Sequence, residues 1–172
     1  MKTPNSILLI LILFFAFEGY SQTAKECAGQ GKSKFDSQDY YGAIADLNKA
    51  LEINPQDLES CVYLGLAKFN LKNYIEAITI FTKAIEIYPK SEVAYSKRGC
   101  SKFMLKDYYG AIADLTKGIE FDSKNPDNFF WRGISKAILG QKESGCLDLS
   151  KAGELGSTEA YEAIKDFCQR EN

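Results

Sequence analysis

The chain has 172 residues, enough for one ordinary domain, and its 26% charged and 45% hydrophobic content is globular and argues against wholesale disorder. With 21 basic and 23 acidic side chains the net charge is −2, so no field of one sign indicates nucleic acid or an anionic membrane as a partner. Histidine is absent, which removes the commonest general base and the commonest metal ligand.

The N-terminal segment, residues 1–21, has the layout of a secretory signal peptide. Lys2 supplies a positive charge, residues 7–17 form an unbroken apolar run, and small residues at Gly19 and Ser21 would place a cleavage site after Ser21. The alternative is an uncleaved membrane anchor, but the run is shorter than the about 20 apolar residues that a spanning helix needs. The short run and single lysine resemble bacterial signals. The sequence therefore predicts an exported protein, periplasmic or secreted, with no integral membrane segment after signal cleavage.

A 34-residue repeat dominates the rest of the chain. The segment DYYGAIADLNKALEINP, which ends at Pro55, recurs as NYIEAITIFTKAIEIYP ending at Pro89 and as DYYGAIADLTKGIEFDS ending at Ser123. A fourth copy is blurred but keeps its phase. The in-phase positions are Gly31, Gly65, Gly99 and Gly133; Lys34, Lys68, Lys102 and Lys136; Phe35, Phe69 and Phe103; Tyr40, Tyr74 and Tyr108; and Ala43, Ala77 and Ala111. A period of this length indicates stacked supersecondary units.

Each copy has the pattern of an amphipathic helix pair. The apolar residues of the first copy fall on one helical stripe at Ala43, Ile44, Leu47, Ala50 and Leu51. Pro55 stops that helix because its ring stiffens the turn and it has no amide hydrogen. One such pair cannot bury its apolar face alone, and about three stacked copies are needed for stability.

These residues resemble the tetratricopeptide repeat family, whose unit is a helix–turn–helix of this length. The family's small residue in the first helix matches the repeated glycines, its terminal proline matches Pro55 and Pro89, and the third copy departs with Ser123. Its usual first-helix aromatic is replaced by the repeated lysines, with phenylalanine one position later. The resemblance implies an all-α, right-handed superhelical solenoid of antiparallel helix pairs. Its four repeats would cover 24–57, 58–91, 92–125 and 126–157.

The C-terminal segment, residues 158–172, predicts a capping helix that covers the open end of the solenoid. Gly156 ends one helix and Ser157 can cap the next. The phrase KAGELGSTEAYEAI also resembles the related Sel1-type repeat, which would change the family label at this end but not the architecture.

Five cysteines are present without a C-x-x-C motif, so neither a zinc ribbon nor a thioredoxin-like motif is supported. Cys146 and Cys168 lie ten residues before and twelve after Gly156, so an antiparallel helix pair would bring them opposite each other. We expect a disulfide there, worth about 3 kcal/mol in the chain-entropy model. The alternative is that both are small buried hydrophobes. Cys61 and Cys100 are interpreted as packing residues.

In the family, one face of each first helix lines a concave groove, and exposed apolar surface there would bind a helix or extended peptide of a protein partner. The resemblance transfers this role by position to Lys32, Phe35, Val62, Leu66, Phe69, Ser96, Phe103, Phe130 and Ile134. Alternatively the phenylalanines belong to the packing between helices, and the sequence leaves both open. Of the positions that clamp a C-terminal carboxylate in chaperone-binding members, only Lys32 fits, so we do not expect a clamp.

Other repeated charges have simpler interpretations. The lysines at 34, 68, 102 and 136 would bind an acidic strip of a partner or lie over apolar neighbours. Asp46, Asp114 and Asp148 are interpreted as a solvated helix face. No nucleophile motif or phosphate loop occurs, so we expect no enzyme activity, no catalytic or metal residues and no cofactor. The sequence predicts a protein-interaction module or scaffold in the bacterial envelope or secreted space. The alternative is a structural subunit of an envelope assembly or secretion complex.

Overall fold

The computed structural model describes residues 23–169, and the expected signal peptide lies outside them. Within this range there are nine helices and no strand, so the predicted all-α fold class is confirmed. The helices are α1 (23–36), α2 (Tyr40–Ile53), α3 (Leu58–Asn70), α4 (Tyr74–Ile87), α5 (Glu92–Met104), α6 (Tyr108–Phe121), α7 (Pro126–Ile138), α8 (Lys142–Glu154) and α9 (Glu159–Phe167). Over the described residues, no helix combines the length and apolar character required to cross a membrane.

The chain forms two compact units, Met1–Ala67 and Lys68–Asn172, and the division falls inside α3. The described part of the first unit holds α1, α2 and most of α3. In the second unit each helix from α4 to α9 packs against the next one along the chain. There α5 also contacts α7, and α7 contacts α9. The first helices of the third and fourth repeats therefore lie side by side in the second unit.

Glycine allows close contact between the two helices of a repeat. Three of the four repeated glycines face a fully buried leucine on the second helix, and only hydrogen in place of a side chain leaves room for that leucine. A Cβ atom on the glycine would lie 2.6, 2.8 and 2.9 Å from the leucine Cγ in the pairs Gly31–Leu47, Gly99–Leu115 and Gly133–Leu149. These glycines thus allow the close crossing of the helix pairs α1–α2, α5–α6 and α7–α8.

The turn between paired helices contains one residue in the left-handed conformation. The φ angles are 64°, 62°, 64° and 79° at Gln38, Lys72, Lys106 and Gly140. In the third repeat the Lys106 amide donates to the Phe103 carbonyl at 2.8 Å, and the Asp107 amide donates to the Lys102 carbonyl at 2.9 Å. This is the Schellman pattern, in which the left-handed residue favours glycine. Only the fourth repeat has glycine there.

Two bonded cysteines join α8 to the end of α9. Cys146 on α8 and Cys168, directly after α9, form a disulfide with their Cα atoms 5.9 Å apart. This is the pair expected from the sequence. With nine residues, α9 is shorter than the about 12–15 that an isolated helix needs to form in water. It is held by burial of Ala160 and Ala163 and by the disulfide.

Cys61 and Cys100 are buried, as interpreted from the sequence. Burial raises the pKa of the Cys100 thiol to about 12, because the thiolate would lose its hydration. This thiol is therefore protonated at neutral pH, which makes it a poor nucleophile. Cys100 contributes to packing, in a buried cluster with Ala111 and Leu115.

Replacing Lys106 by glycine is expected to increase the free energy of unfolding by about 0.5–1 kcal/mol, because the left-handed backbone costs a side-chain-bearing residue more than it costs glycine. The reciprocal change Gly140→Lys is expected to lower it by a similar amount. A Cβ at Gly140 would meet no atom within 4 Å, so the effect comes from the backbone alone. Urea unfolding of both variants measures the difference, and equal stability of all three proteins would contradict the explanation.

Loss of the disulfide is expected to destabilise α9 locally. The bond joins residues 22 apart, and in the chain-entropy model such a loop contributes about 3 kcal/mol. In the variant Cys146→Ser/Cys168→Ser, backbone amides of α9 should lose most of their protection against hydrogen exchange, while those of α5 and α6 keep it. Unchanged protection in α9 would mean that apolar burial alone holds the helix.

Candidate functional site

Lys32 is engaged by neighbours within the first unit. Its Nζ lies 2.7 Å from Glu59 Oε1 and 5.2 Å from the centroid of the Tyr63 ring. The hydrogen bond to Glu59 is the main reason that the pKa of Lys32 is raised. The two other aliphatic candidates of this unit, Val62 and Leu66, are partly buried on α3.

The three repeated phenylalanines pack between helices. Each ring contacts the tyrosine five residues later, with centroids 5.5, 5.4 and 5.5 Å apart in Phe35–Tyr40, Phe69–Tyr74 and Phe103–Tyr108. Phe35 also meets Tyr63 at 5.3 Å, and Phe103 meets Trp131 at 4.8 Å, so two of the rings reach the first helix of the next repeat. These partly buried rings therefore take part in contacts between helices, which is one of the two interpretations that the sequence left open.

Ser96 does not lie on an exposed surface. It is 3% exposed, and its hydroxyl donates to Glu92 Oε1 at 2.5 Å. The same oxygen accepts a hydrogen bond from the side-chain amide of Asn125 and another from that of Asn128, both at 2.8 Å. Ser96 therefore belongs to a polar network that joins α5 to α7 and to the residue before it.

Phe130 and Ile134 lie on α7 and are partly buried. Phe130 packs against the cluster of Phe129, Ala152 and Ala160, which involves α7, α8 and α9. Its ring also contacts Trp131, with centroids 5.1 Å apart. Phe130 thus helps to seat the C-terminal helix, whereas Ile134 lies one turn further along α7.

An apolar surface is nevertheless present on α5 and α7. Val93, Met104 and Ile138 are 41%, 38% and 42% exposed. They share a helix face with three neighbours, because residues three, four or seven apart on a helix point the same way. This α5–α7 surface consists of Val93, Lys97, Met104, Trp131, Ile134 and Ile138.

Repeat symmetry explains the composition of the α5–α7 surface. Met104 and Ile138 are 34 residues apart and occupy equivalent positions, as do Lys97 and Trp131. The Phe103 ring packs on the indole of Trp131 and holds it in place. Of the six residues of the α5–α7 surface, only Ile134 was among the groove positions transferred from the family. The spacing of Trp131, Ile134 and Ile138 is the sequence signal that could have identified the rest.

The repeated aspartates are not solvated, so that interpretation was wrong. Asp46, Asp114 and Asp148 are 5%, 5% and 6% exposed. Each aspartate pairs with one of the repeated lysines. The distances from lysine Nζ to a carboxylate oxygen are 2.6, 2.8 and 2.7 Å in Lys34–Asp46, Lys102–Asp114 and Lys136–Asp148. The hydrogen bond from Lys34 holds the pKa of Asp46 below its usual value. These three lysines are used inside the fold and do not form a free basic strip.

Arginine completes the ion pair in the third and fourth repeats. On α5, Arg98 donates from Nε and Nη2 to the two carboxylate oxygens of Asp114 at 2.8 and 2.7 Å. Its Nη1 donates to Thr82 Oγ1 at 3.0 Å, so one side chain ties α4 to α6. The fourth repeat has the same three contacts among Arg132, Asp148 and Thr116.

The second repeat has apolar residues at the corresponding positions. Leu64 and Ile80 stand where the third repeat has Arg98 and Asp114. The repeated lysine of this copy, Lys68, pairs instead with a glutamate four residues before Ile80, with its Nζ 2.6 Å from the carboxylate. The chain therefore has charged residues in two copies and apolar residues in another at the same pair of repeat positions.

Comparison with known proteins identifies the repeat. Two family models, both described as tetratricopeptide repeat, match residues 27–57 and 58–91. The search of curated proteins finds no match. These two segments are tetratricopeptide repeats, as the sequence predicted.

Solved structures share the fold. A crystal structure of MamA protein is 23% identical and covers 86% of this chain and 82% of its own, with a TM-score of 0.79. MamA from Desulfovibrio magneticus RS-1 is 20% identical and covers 84% and 83%, with a TM-score of 0.79. The first tetratricopeptide domain of Spaghetti (RPAP3), solved bound to an HSP90 peptide, is 23% identical and covers 70% and 95%, with a TM-score of 0.68. At these identities the likeness establishes an all-α helical-repeat fold.

The variant Asp114→Asn is expected to lower the free energy of unfolding by about 3 kcal/mol, because it leaves the Arg98 guanidinium without its counter-charge in a buried site. The double variant Arg98→Leu/Asp114→Ile, which copies Leu64 and Ile80 of the second repeat, is expected to recover most of that loss, because no guanidinium remains buried and the long side chain of Lys102 can extend its ammonium to solvent. Urea unfolding compares the three proteins. A double variant as unstable as the single one would show that the ionic contacts themselves are required.

Proposed function

We propose that this chain, which carries tetratricopeptide repeats in an all-α helical-repeat fold, is a protein-interaction module that binds a helix or extended peptide of a partner on the α5–α7 surface. The observation that carries the proposal is the exposure of Val93, Met104 and Ile138 on the adjacent helices α5 and α7. Exposed apolar residues on neighbouring helices of a folded domain are a feature of contact sites.

The chemistry of the α5–α7 surface suits an amphipathic partner segment. Met104, Ile134 and Ile138 offer aliphatic contacts, and Trp131 offers a large ring of the kind enriched at binding hot spots. Lys97 adds one cation on the same face. An amphipathic helix would place apolar side chains at every third or fourth residue against this surface and keep its polar side in water.

Binding on this surface requires little rearrangement of the protein. Arg98 fastens α5 to its neighbours through Asp114 and Thr82, and Arg132 fastens α7 in the same way. A preformed surface loses less conformational entropy when a partner binds, which favours affinity. The mechanism is therefore passive display of a rigid recognition surface.

A peptide partner is also the kind of ligand in one comparison structure, where the RPAP3 domain is bound to an HSP90 peptide. The mode we propose differs from a carboxylate clamp. Two of the positions at which clamp residues would stand are occupied here by Ser96 and Cys100, and both are 3% exposed. These side chains are too deeply buried to meet a peptide terminus.

We place this function in the bacterial envelope or the secreted space. The N-terminal order of a lysine, an apolar run and small residues supports export. The bond between Cys146 and Cys168 is consistent with an oxidising compartment, where disulfides persist. Pulse labelling of cells that express residues 1–172 tests export, because cleavage after Ser21 should shorten the chain.

Introduction of two charges on the α5–α7 surface should abolish binding. We expect Met104→Glu/Ile138→Glu to lose partners captured from envelope extract by at least about tenfold, since each buried carboxylate without a partner would cost more than 1.4 kcal/mol. The matched control is Ile75→Glu/Leu147→Glu, which adds the same charge at two residues that are both 72% exposed on second helices.

Circular dichroism confirms helicity of both double variants before capture. Loss of partners from the first variant but not from the control supports recognition on α5 and α7. If both variants keep the same partners, the surface is not used, and the alternative of a structural subunit held through other surfaces gains support. If both double variants lose the partners, the added negative charge explains the loss whichever surface carries it, and the α5–α7 surface is not supported.

A further inference from the structure

The first unit contains a cavity of about 750 Å³, whose lining shares no residue with the α5–α7 surface. Ala24 and Ala28 of α1 and Ala50 and Ile53 of α2 give it small apolar walls, and Asp57 adds a carboxylate between α2 and α3. The volume is within the range of about 300–1,000 Å³ that is typical of ligand sites. Comparison of the first repeat with the third explains why this space is open.

In the third repeat the equivalent place is filled by a hydrogen-bonded side chain. Glu92 and Ser96 stand two periods, or 68 residues, after the first two alanines of the cavity. The Glu92 carboxylate accepts from the Ser96 hydroxyl at 2.5 Å and from the amides of Asn125 and Asn128 at 2.8 Å. A carboxylate and three donors thus satisfy one another there.

The first repeat has different residues both at the positions of Glu92 and Ser96 and at the positions of the two asparagines. Alanine replaces the glutamate and the serine, which removes the group that fills the space. Asp57 replaces Asn125, and Ser60 replaces Asn128. Asp57 Oδ2 accepts from the Ser60 amide at 3.1 Å and from the Ser60 hydroxyl. The wall that offers amide donors in the third repeat thus offers a carboxylate in the first. Both hydrogen bonds from Ser60 use Oδ2, which leaves Oδ1 of Asp57 for a donor from a ligand.

Asp57 has no ion-pair partner among the charged residues that line the cavity. Lys32 and Glu59 pair with each other at 2.7 Å on the rim. Lys25 also borders the cavity but is exposed, and among residues 23–169 no ion pair joins it to Asp57. A cation that reached Asp57 would form a charge-assisted hydrogen bond, which is shorter and stronger than a neutral one.

We propose that this cavity binds a basic side chain, lysine or arginine, presented by a protein partner. The aliphatic stem would lie along Ala24, Ala28 and Ile53, and the ammonium or guanidinium would donate to Asp57. Long basic side chains combine an apolar stem with a charged tip, which matches apolar walls that end in a carboxylate. This site is separate from the surface proposed above and differs from it in chemistry.

The probes for this site are the blocked amino acids Nα-acetyl-arginine methylamide and Nα-acetyl-lysine methylamide. The protein is expressed with residues 1–21 so that the cell can remove them. The mature chain is then titrated with each probe, and its backbone amide chemical shifts are followed by NMR. We expect saturable shifts within 24–32 and 53–60. The norleucine analogue, which has an aliphatic stem without the charge, should bind at least about tenfold more weakly.

Asp57→Asn should weaken binding of both probes at least about tenfold. It should leave α3 intact, because asparagine caps a helix as well as aspartate does. The matched control is Asp36→Asn, the same substitution at an exposed residue that does not border the cavity. The variant Met104→Glu/Ile138→Glu should bind both probes as the parent does, which separates this proposal from the recognition surface on α5 and α7.

A second variant copies the third repeat into the first, as Ala24→Glu/Ala28→Ser/Ala50→Gly/Asp57→Asn/Ser60→Asn, in which the glycine leaves room for the new serine and asparagine as Gly118 does in the third repeat. It should abolish the shifts by filling the cavity while the protein remains folded. Three results would overturn the proposal: equal binding of norleucine and the charged probes, unchanged binding by Asp57→Asn, or the absence of saturable shifts up to about 10 mM.

Discussion

The contact on which the second unit depends is the guanidinium of Arg98 between Asp114 and Thr82. A carboxylate that is 5% exposed would be costly without a counter-charge, so the position of α6 is tied to that of α5. The third donor of the guanidinium reaches α4, so one planar group sets three helices in register. Because Arg132 repeats the contact 34 residues later, α5 and α7 are held in equivalent ways and present equivalent faces.

This arrangement separates the residues used for packing from those left for recognition. The repeated lysines, aspartates and phenylalanines all look available in the sequence, yet most of them have partners inside the fold. Lys102 pairs with Asp114, and Phe103 packs on Trp131. What remains on the first helices of the second unit is the apolar face that includes Met104 and Ile138, neither of which the repeat pattern marks as special.

The helices and their pairing could be predicted because they depend on short-range patterns. The period of the glycines, the apolar stripes and the distances of Cys146 and Cys168 from Gly156 were sufficient for the fold class and for the cysteine pair. The buried aspartates could not be recognised from one position alone. Asp114 and Asp148 each pair with an arginine 16 residues earlier, whereas Asp46 is equally buried with only lysine as its partner.

The candidate site was harder to predict for a related reason. Transfer by position assumes that equivalent residues have equivalent surroundings, and Ser96 shows where this fails. Glu92 and the amides of the following repeat enclose it, whereas Ala28 at the equivalent position borders a cavity. The exposure of a repeat position therefore depends on its neighbours in the next copy, which a family pattern does not record.

Departures of the chain from its own repeat carry information that the repeat itself lacks. Positions under the same packing requirement keep the same chemistry, as Gly31 and Gly99 do. Where Asp57 replaces Asn125, packing alone does not explain the change, because the third repeat closes the same space with a hydrogen-bond network. In a repeat protein each copy is thus a control for the others, and the sites at which one copy loses a satisfied contact are those at which a ligand can supply it.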